Sequence, residues 1–433
     1  MPGRAPVALS VFVAALLACC PSAVARRAGF LAPVPVAGTS VSAGETPVEC
    51  ANPKGDVLVL WADTLSQHTA QLDGVFRSAG GSFGSTEMVA PPFTRQYEGV
   101  SNIQFEPDCA LASDGVAAVA WTLPAPSSTG PRSVELSLRP AGGHWSNPVR
   151  LSAQGKNAIA PSVAIDAAGD VVVSWLVPDK EGVDSLFVQE RLASGKFLPA
   201  GALGVTSLYD RPAPVGFLGP GKPIVIWQTA AQLDASTSSG GSWHTAGVAS
   251  PFSNAKGYGL ASAVFVGGEA LAVSDASTGI VARTWQAGAW GPADLVHPGQ
   301  SGGYPYGVLD GKGGEYVAVD KNGDGVQVFG RAAGGVWGSL LSEPGNIESA
   351  GGGIAVDAAG DLALVWEDEV KSTNSGSPTY ATAVAVRPAG ASSWNSEDTM
   401  LGHTASPIVS GSGDTVAAGT TQRDALALVE YQQ

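Results

Sequence analysis

A glycine followed six residues later by a tryptophan occurs five times: Gly55 and Trp61, Gly115 and Trp121, Gly169 and Trp175, Gly221 and Trp227, Gly360 and Trp366. Each glycine follows an extended run, such as Pro161 to Asp166, and precedes an apolar one, such as Val171 to Trp175. Alternating and apolar runs separated by Asp and Gly read as two strands joined by a tight turn. Three further units keep this hairpin without the tryptophan, over residues 261–274, 307–320 and 407–419, which makes eight. A second hairpin follows in most units, marked by an arginine and then an aromatic residue. The pairs are Arg77 with Phe83, Arg139 with Trp145, Arg191 with Phe197, Arg283 with Trp290, Arg331 with Trp337 and Arg387 with Trp394. The fourth unit has Trp243 and lacks the arginine.

Two hairpins in a period of about fifty residues are four antiparallel strands, the content of one propeller blade. The expected fold is therefore all-β, a single β-propeller over residues 26–433 with eight four-stranded blades, or seven as the alternative. The last unit stops after its third strand, Ala425 to Tyr431, while the segment around Phe30 has the pattern of a fourth strand. The N-terminal strand is expected to complete the last blade, which removes the open edges of a linear array. Composition agrees: charged residues are 14%, with 57 glycines and 30 prolines, and no long Glu-, Lys- and Leu-rich stretches.

The N-terminus reads as an export signal over residues 1–25, with Arg4, an apolar stretch from Val7 to Ala18, and the small-x-small triplet Ala23, Val24 and Ala25. Leu16, Leu17, Ala18 and Cys19 also resemble a bacterial lipobox, in which Cys19 would carry a lipid anchor. The expected location is secreted or extracellular, with a lipid-anchored cell surface as the alternative. No later stretch is apolar enough to span a membrane. Beyond the signal only Cys50 and Cys109 remain. In an oxidising compartment an even pair suggests a disulfide, two buried thiols being the other reading. The net charge of −15 argues against a nucleic-acid partner, which needs a basic face.

The second hairpin resembles a degenerate Asp-box, Ser-x-Asp-x-Gly-x-x-Trp, of the sialidase-like propellers with bacterial neuraminidase repeats. Ser236, Gly240 and Trp243 match it, with Ser238 at the aspartate position. Gly142 to Trp145 and Gly334 to Trp337 keep the Gly-x-x-Trp half, and Gly80 to Phe83 keeps it with phenylalanine. The resemblance implies the fold. It would also imply an arginine triad, a tyrosine nucleophile with its glutamate and an aspartate acid/base, but the Arg-Ile-Pro-like motif that opens such a triad is missing.

Residues that recur in nearly every unit, the tryptophans and arginines, read as blade fillers, and the turn acids Asp166, Asp170, Asp357, Asp361 and Asp56 as turn chemistry. Asp320, Asn322 and Asp324 resemble the start of a calcium loop, but Arg331 stands where a bidentate glutamate is needed. The five histidines lack zinc spacing, no nucleophile elbow or phosphate loop occurs, and no cofactor is implied.

Tyr97, Tyr209, Tyr258, Tyr304 and Tyr306 fall in the expected connections from one blade to the next, with Arg95, Asp210 and Arg211. Such rings suit stacking on sugars or gripping a peptide. Asp63, Glu367, Asp368 and Glu369 follow the hairpin tryptophans near the same mouth. The expected function is a non-catalytic binding module, secreted or surface-exposed, for a glycan or an extracellular protein, acting as a monomer. The alternative is a sialidase-like carbohydrate-active enzyme.

Overall fold

The computed structural model describes residues 29–30, 34–35, 47–66, 69–94, 106–125, 130–179, 183–206, 212–229, 231–249, 260–276, 278–299, 305–320, 326–343, 353–357, 359–370, 379–399, 408–409, 415–420 and 426–432. Every regular element among them is a β-strand. They form eight antiparallel sheets, seven of them built from strands consecutive in the chain. The first sheet runs Val48–Ala51, Val57–Ser66, Thr69–Arg77 and Glu87–Thr94, in that order from inside out. The innermost strand of each sheet lies beside that of the next, and that of the eighth, Ile408–Val409, returns to lie beside Val48–Ala51. This is a β-propeller.

The chain's two ends meet in the eighth sheet. Phe30 pairs with Tyr431 and Val34 with Leu428, so the N-terminal segment forms the outer edge next to Leu426–Gln432, as the sequence pattern predicts.

The repeated glycine has a backbone reason. It sits in the turn between first and second strands with φ of +94° at Gly55, +89° at Gly115, +88° at Gly169, +63° at Gly221 and +99° at Gly360, a region that excludes most side chains. The tryptophan six residues on lies on the second strand and packs toward the preceding sheet. Trp121 joins Leu58 and Leu60, Trp175 joins Ala118 and Val134, and Trp227 joins Leu176 and Leu186. Among the described residues the core is thus a series of apolar layers between consecutive sheets, from the first to the seventh. Second strands are buried on both faces: every side chain from Val57 to Ala62 and from Ala117 to Thr122 is buried.

Cys50 and Cys109 form a disulfide between the inner strands of the first two sheets, with 5.9 Å between Cα atoms.

Candidate functional site

The two ends of the propeller differ in what their polar groups do. One end gathers the turns between first and second strands and those between third and fourth. There the acidic residues are consumed in hydrogen bonds. Asp166 Oδ1 accepts the backbone N–H groups of Ala168 and Asp170 (both 2.9 Å), and its Oδ2 accepts that of Gly221, in the next sheet's turn, at 2.7 Å. Asn52 acts alike, donating from Nδ2 to the carbonyl of Ala112 in the second sheet at 2.8 Å. The acid four residues on ties the two hairpins of its own sheet: Asp56 accepts the N–H of Ala79 and Asp170 that of Ala193, at 2.8 and 2.7 Å, and Asp361 that of Ala389. The arginines are equally engaged. Arg77, Arg191 and Arg331 lie over the rings of Phe83, Phe197 and Trp337, the predicted partners. Arg139 instead stacks on Phe76 and pairs at 2.8 Å with Glu87, both in the first sheet. Arg331 bridges Glu315 and Asp294.

At the other end the chain passes from sheet to sheet, and buried acids brace the inner strands. Asp108 opens the inner strand of the second sheet and accepts the N–H of Val163, in the third sheet's inner strand, at 2.8 Å. Burial pushes its carboxyl up to about 6, because desolvation outweighs the bonds from Val163, Ser162 and Cys109. Two residues earlier, Glu106 accepts the N–H of Ala160 at 2.9 Å. Glu106 (φ +39°) and Ala160 (φ +50°) are two of the three non-glycine residues with positive φ among the described residues. Left-handed backbone at such residues persists where the surroundings hold it. Here the carboxylate of one strained residue holds the amide of the other. Further round, Gln228 Oε1 accepts the N–H of Leu260, Ser174 Oγ donates to the carbonyl of Ala213, and Ser262 Oγ links Pro305 and Gly307.

Asp63 lies at this end, opposite Gln71 across the hairpin of the first sheet. Gln71 Nε2 donates to both oxygens of Asp73 at 2.9 Å. Burial raises the Asp73 carboxyl, the Gln71 bond offsets part of this, and the Asp63 carboxyl beside it raises it further. In the second sheet burial raises Glu135 against a 2.7 Å bond from Ser133. These carboxyls hold protons more tightly than exposed ones, and both accept side-chain hydrogen bonds within their own third strands.

Several predicted residues fall elsewhere. Tyr306 is not in a connection: it begins the inner strand Tyr306–Leu309, half-buried and packed on the core between the sixth and seventh sheets. An alternating inner strand places every second side chain between sheets, which the loop reading overlooked. Asp320 ends a strand opposite Val326, while Asn322 and Asp324 lie outside the described residues. Tyr97, Tyr209, Tyr258, Tyr304, Arg95, Asp210 and Arg211 also lie outside them, as do residues 1–25 with Cys19. Glu367, Asp368 and Glu369 lie on the second strand of the seventh sheet. Among the described residues, no group of three or more His, Cys, Asp or Glu side chains could hold a metal ion, and no helix is long and apolar enough to cross a membrane. Glu106 and Asp108 were missed in sequence because they belong to no repeat, whereas Asp73, Glu135 and Asp234 each stand across the hairpin from a repeated tryptophan at unequal spacings. The adjacency of Glu106 and Asp108 to Cys109 was the available signal.

Neither a protein-family model nor a curated protein matches the chain. Among solved structures it is similar to a lectin of Burkholderia pseudomallei, with 14% identity over 75% of this chain and 95% of that one and a TM-score of 0.48. It is also similar to an α-L-arabinanase of Penicillium chrysogenum, with 11% identity over 93% and 98% and a TM-score of 0.44. A sialidase of Streptococcus pneumoniae shows 11% identity over 88% and 85% and a TM-score of 0.40.

Proposed function

We propose that the protein is an exported, non-catalytic binding propeller that takes a glycan, or a sugar-bearing extracellular protein, on the end where the chain passes between sheets. The observation that carries this reading is the asymmetry of the two ends. At the short-turn end the recurring acids and arginines are occupied by neighbouring hairpins. The connecting segments hold a concentration of tyrosines, with Arg95, Asp210 and Arg211, in a chain of only eight tyrosines. Rings with a polar tip match a ligand with apolar sugar faces and many hydroxyls. A disulfide between adjacent inner strands suits an oxidising compartment, and removal of residues 1–25 on export belongs to the same proposal.

The test is a glycan and cell-wall array probed with the mature protein, then with a Tyr97→Ala, Tyr209→Ala, Tyr304→Ala triple variant. Capture by the parent and its loss in the variant, at unchanged melting temperature, is the expected result. Equal capture by both proteins overturns the assignment of the site.

A further inference from the structure

The outer strand of a propeller sheet has no neighbour on one side, so its unpaired N–H and C=O groups invite another strand unless something blocks the edge. Almost every outer strand here is blocked. Glu87–Thr94 contains Pro91 and Pro92, and its register slips twice. Val149–Arg150 is two residues long and ends on a charge. Gly201–Thr206 is bulged near Gly204, and Ala289–Pro298 carries two prolines, Asp294 and two register shifts. Gly338–Glu343 has a register shift and Asn395–Thr399 contains Glu397 and Asp398. The eighth sheet ends in two short pieces, one containing Pro35.

Ser242–Ala249, the outer strand of the fourth sheet, has none of these devices. Its eight residues pair in unbroken register with Gln232–Ser239, from Ser239 opposite Ser242 to Gln232 opposite Ala249. It contains no proline, Asp, Glu, Lys or Arg, and Ser242, His244, Thr245, Ala246, Gly247 and Ala249 are exposed. The hairpin leading into it lacks the arginine of the other units and turns through Gly240 and Gly241, with φ of +59° and +86°. Since Ser239 and Ser242 close that turn, alternate residues from Trp243, including Thr245 and Gly247, aim their backbone groups away from the sheet. Among the described residues no strand pairs with that edge.

We propose that this edge joins a second copy of the chain, the two Ser242–Ala249 strands pairing antiparallel about a two-fold axis. An antiparallel strand is its own complement under that symmetry. With a net charge of −15 on each copy, contact is least opposed through a segment free of acids. The other described outer strands cannot offer the matching run, so the strand itself is the partner that fits.

Sedimentation equilibrium or light scattering on the purified mature protein tests this. The parent is expected at twice the chain mass at micromolar concentration. Thr245→Pro removes one outward N–H without breaking the ladder to the neighbouring strand, and His244→Lys places a charge on an exposed side chain of the edge. Each should weaken the dimer by more than about tenfold, while Val336→Lys, on an 89% exposed side chain elsewhere on the rim, leaves the mass unchanged. Circular dichroism identifies any variant that fails to fold. A parent that is monomeric throughout, or a dimer that survives both substitutions in folded protein, overturns the proposal.

Discussion

Asp108 shows how much a single side chain does at the mouth. Its carboxyl titrates near 6 in the folded protein against an ordinary value of 3.8, so the folded state binds that proton more tightly than the unfolded chain. Stability from this group is therefore full below about pH 4 and is lost as pH rises through 6. A gap of this size corresponds to about 3 kcal/mol at most. Urea unfolding of the parent should show stability falling between pH 4 and 7, with a shallower slope in Asp108→Asn, whatever the constant offset of that variant. Asp73, Glu135, Glu190 and Asp234 are raised by burial too and contribute in the same direction. A second residue-scale test is Gly216 on the fourth sheet's inner strand, where an added Cβ would lie against the Phe265 ring of the fifth sheet. Gly216→Ala should cost about 1–3 kcal/mol through overpacking, read as a lower midpoint with unchanged slope. Neither effect was legible in sequence, because Val163 lies 55 positions from Asp108 and Phe265 belongs to another unit.

At the scale of strands and hairpins the sequence was most informative. Turn glycines, hairpin tryptophans and three of the six arginine–aromatic pairs take the places their spacing predicts, because each pattern is enforced within a dozen residues by turn geometry and strand alternation. The exceptions are instructive. Tyr306 read as a loop residue since nothing local marks where an inner strand begins, and Arg139 looks across to Phe76 rather than toward its own unit's Trp145. The disulfide binds the inner strands of two sheets across a separation of 59 residues. Replacing Cys50 and Cys109 by Ser should destabilise the protein by roughly 4 kcal/mol, the chain-entropy value for such a loop. Differential scanning calorimetry of the double variant, with and without reductant, measures it; a parent whose midpoint is indifferent to reductant would contradict this.

Closure is a property of the whole ring. Phe30 and Val34 supply the outer edge of the eighth sheet, and its inner strand lies against the first sheet. Deleting residues 29–40 from the mature protein should therefore destabilise every sheet rather than one, lowering the melting temperature severely while leaving no separately melting fragment; a mild shift would show that closure does not depend on that segment.

Taken alone, the sequence determined the class of fold, the repeat, the hairpins within it and the strand that closes the ring, and it offered Cys50 and Cys109 as a disulfide or as two buried thiols, which the structure decided. All of these rest on short-range periodicity or on counting. Only the tertiary structure decided which acids are struts between sheets, that Glu106 holds the strained amide of Ala160, and that one outer strand is left undefended. Such facts depend on neighbours about fifty residues away in the chain and beside one another in space, and on the burial that makes a carboxyl hold its proton.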